Sequence, residues 1–138
     1  MITLENLNPK RVPLTPEMQA NQERLHSAMV HVEAHVGHPL VVTSGVRSLD
    51  DHKRIYADLA RKRKTHLIRI PMQSKHLNGA AVDVYDPDGK LHAWCKANES
   101  VLETLGLWVE EKDDQRRVHF QVQPYGSWMP GKTRFFRP

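Results

Sequence analysis

The sequence predicts one α+β domain, and three observations lead to that class. A capped helix start near the N-terminus is followed by apolar residues at helical spacing. Short β-branched or alternating runs recur from the middle of the chain onward. The length, 138 residues, is about one domain's worth of chain. No internal repeat, low-complexity tract or linker divides residues 1–138.

Each element has its own local signal. Thr15-Pro16-Glu17 combines an N-cap hydroxyl, a proline at the first helical position and an acid in the first turn. Leu25, Met29, Val32 and Val36 then recur on one helical face, and Gly37 supplies the stop. Residues 39–43, Pro-Leu-Val-Val-Thr, are short, β-branched and apolar, which predicts a buried strand. Ser48 with Asp51 opens a second helix, with Ile55, Tyr56 and Leu59 on its inner side. The connection over residues 65–73 carries no clear pattern. Residues 80–85, Ala-Ala-Val-Asp-Val-Tyr, predict a second strand, ended by the turn Asp86-Pro87-Asp88-Gly89. Residues 90–105 predict a third helix, closed by Gly106.

Residues 107–111 and 117–122 read as the two strands of a hairpin. A four-residue loop pairs Lys112 with Arg117, places Val109 opposite Phe120 and Leu107 opposite Val122, and so makes one apolar face. The other face carries Trp108 opposite Gln121 and Glu110 opposite His119. A slip of one residue would mix the two faces, which register selection disfavours. A carboxylate therefore lies beside a histidine on a face that is polar for no packing reason.

Composition narrows the class. Apolar residues at 39%, charged residues at 26% and a mean hydropathy of −0.59 fit a soluble globular protein. No apolar run approaches the roughly 18 to 20 residues that cross a bilayer, so no membrane insertion is expected. The N-terminus lacks the charged-then-apolar order of a signal peptide, which predicts synthesis in a cytoplasm. The single cysteine, Cys95, excludes an internal disulfide and a thiolate-rich metal site, and its segment predicts a buried helical thiol. A net charge of +4 suits an anionic partner. The run Arg61-Lys62-Arg63-Lys64 reads as a solvated helix end, and no aromatic residues interleave with it. No nucleic-acid partner is expected, and the chain is expected to be a monomer.

The stretch Ser74-Lys75-His76-Leu77-Asn78-Gly79-Ala80-Ala81-Val82-Asp83 concentrates the chemistry. Val82 and Val84 point to one face of their strand, and Ala81, Asp83 and Tyr85 to the other. A carboxylate inside an apolar strand is costly to bury unless something neutralises it. A metal ion does so directly, and two histidines with one carboxylate suit zinc with a fourth position left open. The plainer alternative pairs Asp83 with an arginine and leaves His76 as an exposed loop residue.

SKHLNGAAVDV resembles the SxHxxGxAxD signature of the zinc-dependent D-Ala-D-Ala carboxypeptidase and L-alanyl-D-glutamate endopeptidase family. That family includes many phage endolysins and shares its metal site with hedgehog signalling domains. Ser44-Gly45-Val46-Arg47-Ser48 resembles its SGxRS segment, and Val118-His119-Phe120 the strand that delivers the last zinc histidine. The resemblance implies a small antiparallel sheet with helices packed on one side. It makes His76, Asp83 and His119 the zinc ligands, Arg47 the group that binds the scissile carbonyl or a substrate carboxylate, and Ser74 and Gln121 further substrate contacts. For Ser74 a loop-capping role is the alternative, and for Arg47 a salt bridge at a strand end.

One position departs from the family. Its general base, an Asp or Glu three residues before the last histidine, is here Arg116, which cannot accept a proton. The hairpin register nominates Glu110 instead, with Asp113 and Asp114 as alternatives. The tail over residues 124–138 resembles the endings of phage-encoded relatives. The function implied is hydrolysis of a peptidoglycan stem peptide at the bacterial cell wall, reached after release or as part of a phage particle. The alternative is a non-catalytic zinc-containing module of a phage particle or a wall-binding module.

Overall fold

A computed structural model describes residues 1–63, 74–111 and 116–137. The chain opens on a short helix that has no counterpart in the sequence reading, α1 (Leu4–Leu7). Thr3 accepts from the Asn6 backbone N–H while the Asn6 side chain accepts from that of Thr3, a reciprocal cap. Helix α2 (Pro16–Val36) begins and ends where its signals lie, on the Thr15 hydroxyl and on Gly37 at φ 79°. Leu25, Met29 and Val32 enter the core. At its end Glu33 accepts from the backbone N–H groups of Ile2 and Leu40, at 2.9 and 3.0 Å, tying the N-terminus to the following strand.

That strand, β1 (Val42–Ser44), starts later than residues 39–43 suggest and is not buried. Leu40 reaches the core, but Val41 is 59% exposed and Val42 is half-buried. β1 is an edge strand with a register shift between Val42 and Ser44, and Pro39 brings no N–H to a ladder. Helix α3 (Leu49–Lys62) is capped by Ser48, whose Oγ accepts from Asp51 N at 3.1 Å. Arg61, Lys62 and Arg63 are exposed at its end, and Lys64 lies outside the described residues. The face carrying Ile55, Tyr56 and Leu59 does not join the core; it lines a cleft.

Strand β2 (Ala81–Tyr85) sends Val82 and Val84 into the core. The helix expected over residues 90–105 is two helices, α4 (Lys90–Ala97) and α5 (Glu99–Leu105). They part at Asn98, whose side-chain amide donates to the Trp94 carbonyl at 2.8 Å and competes with the helical ladder. Cys95 is buried within α4, where burial pushes its thiol up to about 12. The remaining strands are β3 (Trp108–Glu110), β4 (Arg117–Gln121) and β5 (Phe135–Phe136).

The sheet has the order β1-β2-β4-β3-β5. β3 and β4 pair in the register derived from alternation, Trp108 opposite Gln121 and Val109 opposite Phe120. The sheet is mixed, because β5 returns beside β3 in the parallel sense, whereas an antiparallel sheet is expected from the sequence. Val109 N donates to Arg134 O at 2.9 Å to fix that edge. One face of the sheet packs with α2, α4 and α5 in a single hydrophobic cluster, with Phe120 fully buried between Val82 and Val109. The other face carries the polar side chains of β2, β3 and β4. Among the described residues no helix is long and apolar enough to cross a membrane.

Candidate metal centre

Strand pairing creates the first half of the site. β2 and β4 run antiparallel with Asp83 directly opposite His119, so their side chains stand together on the face away from the core. His119 Nδ1 lies 2.9 Å from Asp83 Oδ1. The second half comes from the loop before β2. Asn21 and Gln22 of α2 donate to the carbonyls of Asn78 and Gly79 at 3.0 and 2.6 Å, and Arg47 N donates to His76 O at 3.1 Å. Gly79, at φ +75° and close against Met18, makes the turn that points the loop back. His76 thereby sets Nε2 3.3 Å from the same Asp83 oxygen. All three side chains are buried, Asp83 to 1% exposure, and their ligand atoms lie within 4.8 Å of one another.

The outer nitrogens reveal what the inner ones do. His76 Nδ1 is 2.8 Å from the Gly45 carbonyl, so it carries the hydrogen. His119 Nε2 is 2.8 Å from Gln121 Oε1, another acceptor. Both inner nitrogens then turn toward one carboxylate oxygen. Such an approach is repulsive unless a positive charge lies between, either protons or a metal ion. The second oxygen, Asp83 Oδ2, is buried and has no hydrogen bond among the described residues. Arg117 Nη1 and Arg47 Nη2 approach it at 3.2 and 3.8 Å, distances of ion pairs without hydrogen-bond alignment. Burial would raise the Asp83 carboxyl, but the hydrogen bonds and positive charge that His119 and His76 supply when protonated hold it well below the usual carboxylate range. Burial likewise lowers His76, against the pull of Asp83. Two imidazole nitrogens and a carboxylate oxygen around an under-satisfied buried carboxylate fit a metal ion. Asp83 thus has the arginine pairing weighed as an alternative as well as the histidines.

Around this cluster is a cleft of about 790 Å³, with Tyr56 and Leu59 of α3, Tyr125 and Phe136 among its lining. Glu110 lines it too, with Oε2 3.8 Å from His119 Nδ1, as the hairpin register implies. Arg116 is exposed, and its carbonyl accepts from Asp86 N. Asp113 and Asp114 lie outside the described residues. Arg47 is largely buried, donating from Nε to Ser44 Oγ at 3.1 Å, and lines the cleft floor. Ser74 lines it as well, but its Oγ accepts from His76 N at 3.4 Å, the loop-capping role. Gln121 lines the cleft with its amide engaged at both ends, by His119 and by Gln123 O.

Arg117 is the residue that the sequence reading missed. Its signal is the period of two along β4, which puts Arg117, His119 and Gln121 on one face. Gly45 is also more than a loop residue, since a Cβ there would lie 2.0 Å from the Leu7 carbonyl oxygen. Gly45→Ala must displace the backbone whose carbonyl holds His76. We expect a loss of about 1–3 kcal/mol in urea unfolding, together with weaker metal binding in a titration. An unchanged unfolding midpoint would show that the Leu7 contact yields freely.

In comparisons with known proteins, no family model matches the chain, and neither a curated protein nor a solved structure matches it.

Proposed function

We propose that the chain is a zinc-dependent peptidase that hydrolyses a stem peptide of bacterial peptidoglycan. The observation that carries this reading is the convergence of His76 Nε2 and His119 Nδ1 on Asp83 Oδ1 at the floor of an open cleft. Two nitrogens and one oxygen, with room on the cleft side, suit zinc in a site that keeps a position for substrate or water. The peptide substrate rests on the likeness of SKHLNGAAVDV, SGVRS and VHF to the peptidase signature. A net charge of +4 favours an anionic wall.

Zinc, when bound there, supplies Lewis acidity toward the scissile carbonyl and the attacking water. The chain's own residues divide the remaining work. Glu110, nine-tenths buried beside His119, takes a proton from the attacking water and returns it to the leaving amine as the C–N bond breaks. The Arg47 guanidinium, held by Ser44, balances the negative charge that develops on the carbonyl oxygen. Action at the wall follows from the substrate, after release or from within a phage particle.

Purified sacculi incubated with the zinc-loaded protein should gain new amine termini. Glu110→Gln should lower the rate by roughly 10²- to 10⁴-fold while zinc still binds. No amine release at saturating zinc would sink the peptidase reading. Full activity in Glu110→Gln would move the base elsewhere. Arg116, at the position where the family carries its acid, favours a second reading, a zinc-stabilised phage structural or wall-binding module. That module would bind sacculi and release nothing.

A further inference from the structure

His119 can serve a metal only through the nitrogen that carries no hydrogen, and a neutral imidazole has two sites for that hydrogen. Something must keep it on the far side of the ring. We propose that Gln121 is a positioning residue of the metal centre, whose amide oxygen holds the His119 Nε2–H and so dedicates Nδ1 to the ion. The assignment rests on the metal-site reading above and replaces the substrate contact expected of Gln121.

The orientation of the amide decides the matter. Gln121 Nε2 lies 2.7 Å from the Gln123 carbonyl oxygen, which can only accept. The amide therefore turns its NH₂ to Gln123 and its oxygen to His119, 2.8 Å from Nε2. A flipped amide would set two oxygens 2.7 Å apart, which is repulsive. His119 Nε2 thus faces an acceptor whose orientation is locked from behind, and it carries the hydrogen. Nδ1 is left facing Asp83 Oδ1.

The strand makes this arrangement automatic. Residues i and i+2 share a face, so Gln121 stands beside His119 on β4 and is itself 3% exposed. His76 has the mirror arrangement, with its outer nitrogen held by the Gly45 carbonyl. Each histidine therefore has a fixed acceptor behind it, one from backbone and one from Gln121. Partners of this kind set the tautomer and ring orientation of ligating histidines.

The test uses the full chain with zinc and three variants. Gln121→Met keeps length and apolar stem but offers His119 no good acceptor. Gln121→Glu keeps the acceptor and gives up the donor to Gln123. His119→Ala is the control for the centre itself. Zinc affinity is measured by competition with a chromophoric chelator, and the His119 ring N–H by ¹H–¹⁵N spectra of the zinc-loaded protein. Melting in excess chelator reports whether each variant folds without metal.

Gln121→Met should weaken zinc roughly 10- to 100-fold and expose the His119 Nε2–H to solvent exchange. Gln121→Glu keeps an acceptor for the His119 Nε2–H but sets a carboxylate oxygen against the Gln123 carbonyl, so it should recover part of the lost affinity and a protected Nε2–H. Wild-type affinity in Gln121→Met, or a Gln121→Glu variant as weak as Gln121→Met, would overturn the role of Gln121. In either case loss of zinc in His119→Ala leaves the metal centre standing. Undiminished zinc binding in His119→Ala is a different failure, that of the metal-site reading.

Discussion

Replacing His119 or His76 with alanine should abolish stoichiometric zinc binding and the zinc-dependent rise in melting temperature. Each histidine supplies one of the two nitrogens that converge on Asp83 Oδ1, at 2.9 and 3.3 Å. A site left with one nitrogen and one carboxylate loses most of its hold on a borderline-soft cation. A ligand that binds only the folded chain at 100 times its Kd stabilises it by about 2.7 kcal/mol, or roughly 10 °C for a domain of this size. Calorimetry with and without zinc reads both quantities. A variant that keeps the full zinc-dependent shift would disqualify that histidine as a ligand.

The same measurement has a signed pH dependence. Burial depresses the His76 pKa below its ordinary value, so the folded chain resists taking that proton. The unfolded chain takes it near pH 6.5. As pH falls through that value the unfolded state therefore binds more protons, and stability declines. Zinc affinity should fall in the same acid range, because its ligands bind the ion unprotonated. Zinc binding that strengthens on acidification would contradict the nitrogen ligands.

Phe120→Ala should cost about 3–5 kcal/mol, measured by urea unfolding in excess chelator. Phe120 is fully buried at the centre of the sheet, between Val82 of β2 and Val109 of β3. Its ring fills the junction where the sheet meets the helices, and truncation leaves a cavity that paired strands cannot close. The effect should reach the other face. His119 and Gln121 flank Phe120 on β4, so loosening that strand should also weaken zinc binding. A loss below about 1 kcal/mol, as for a surface change, would mean that this part of the sheet is not the core.

Features set by a few neighbouring residues were legible in advance. Thr15 and Ser48 begin helices because a side-chain oxygen reaches an N–H three residues on. The hairpin register followed from alternation, since only one pairing keeps Val109 and Phe120 together, and it correctly brought Glu110 beside His119. The break at Asn98 was also local in cause, yet the apolar spacing on both sides concealed it.

That His76 precedes a strand and that Asp83 sits within one is readable from the chain alone, because motif and periodicity are properties of adjacent residues. The parallel pairing of β5 with β3, the turning of the apolar side of α3 to the cleft, and the meeting of Arg117 with Asp83 are set by packing. Those contacts join elements far apart in the chain, and their energies depend on which faces the packed core leaves open. His119 belongs to both levels. Its strand was readable from alternation, but its two neighbours, Asp83 across the ladder and Gln121 behind the ring, take their meaning from geometry. Distances of 2.9 and 2.8 Å fix which nitrogen is free, and no pattern of residue types contains them.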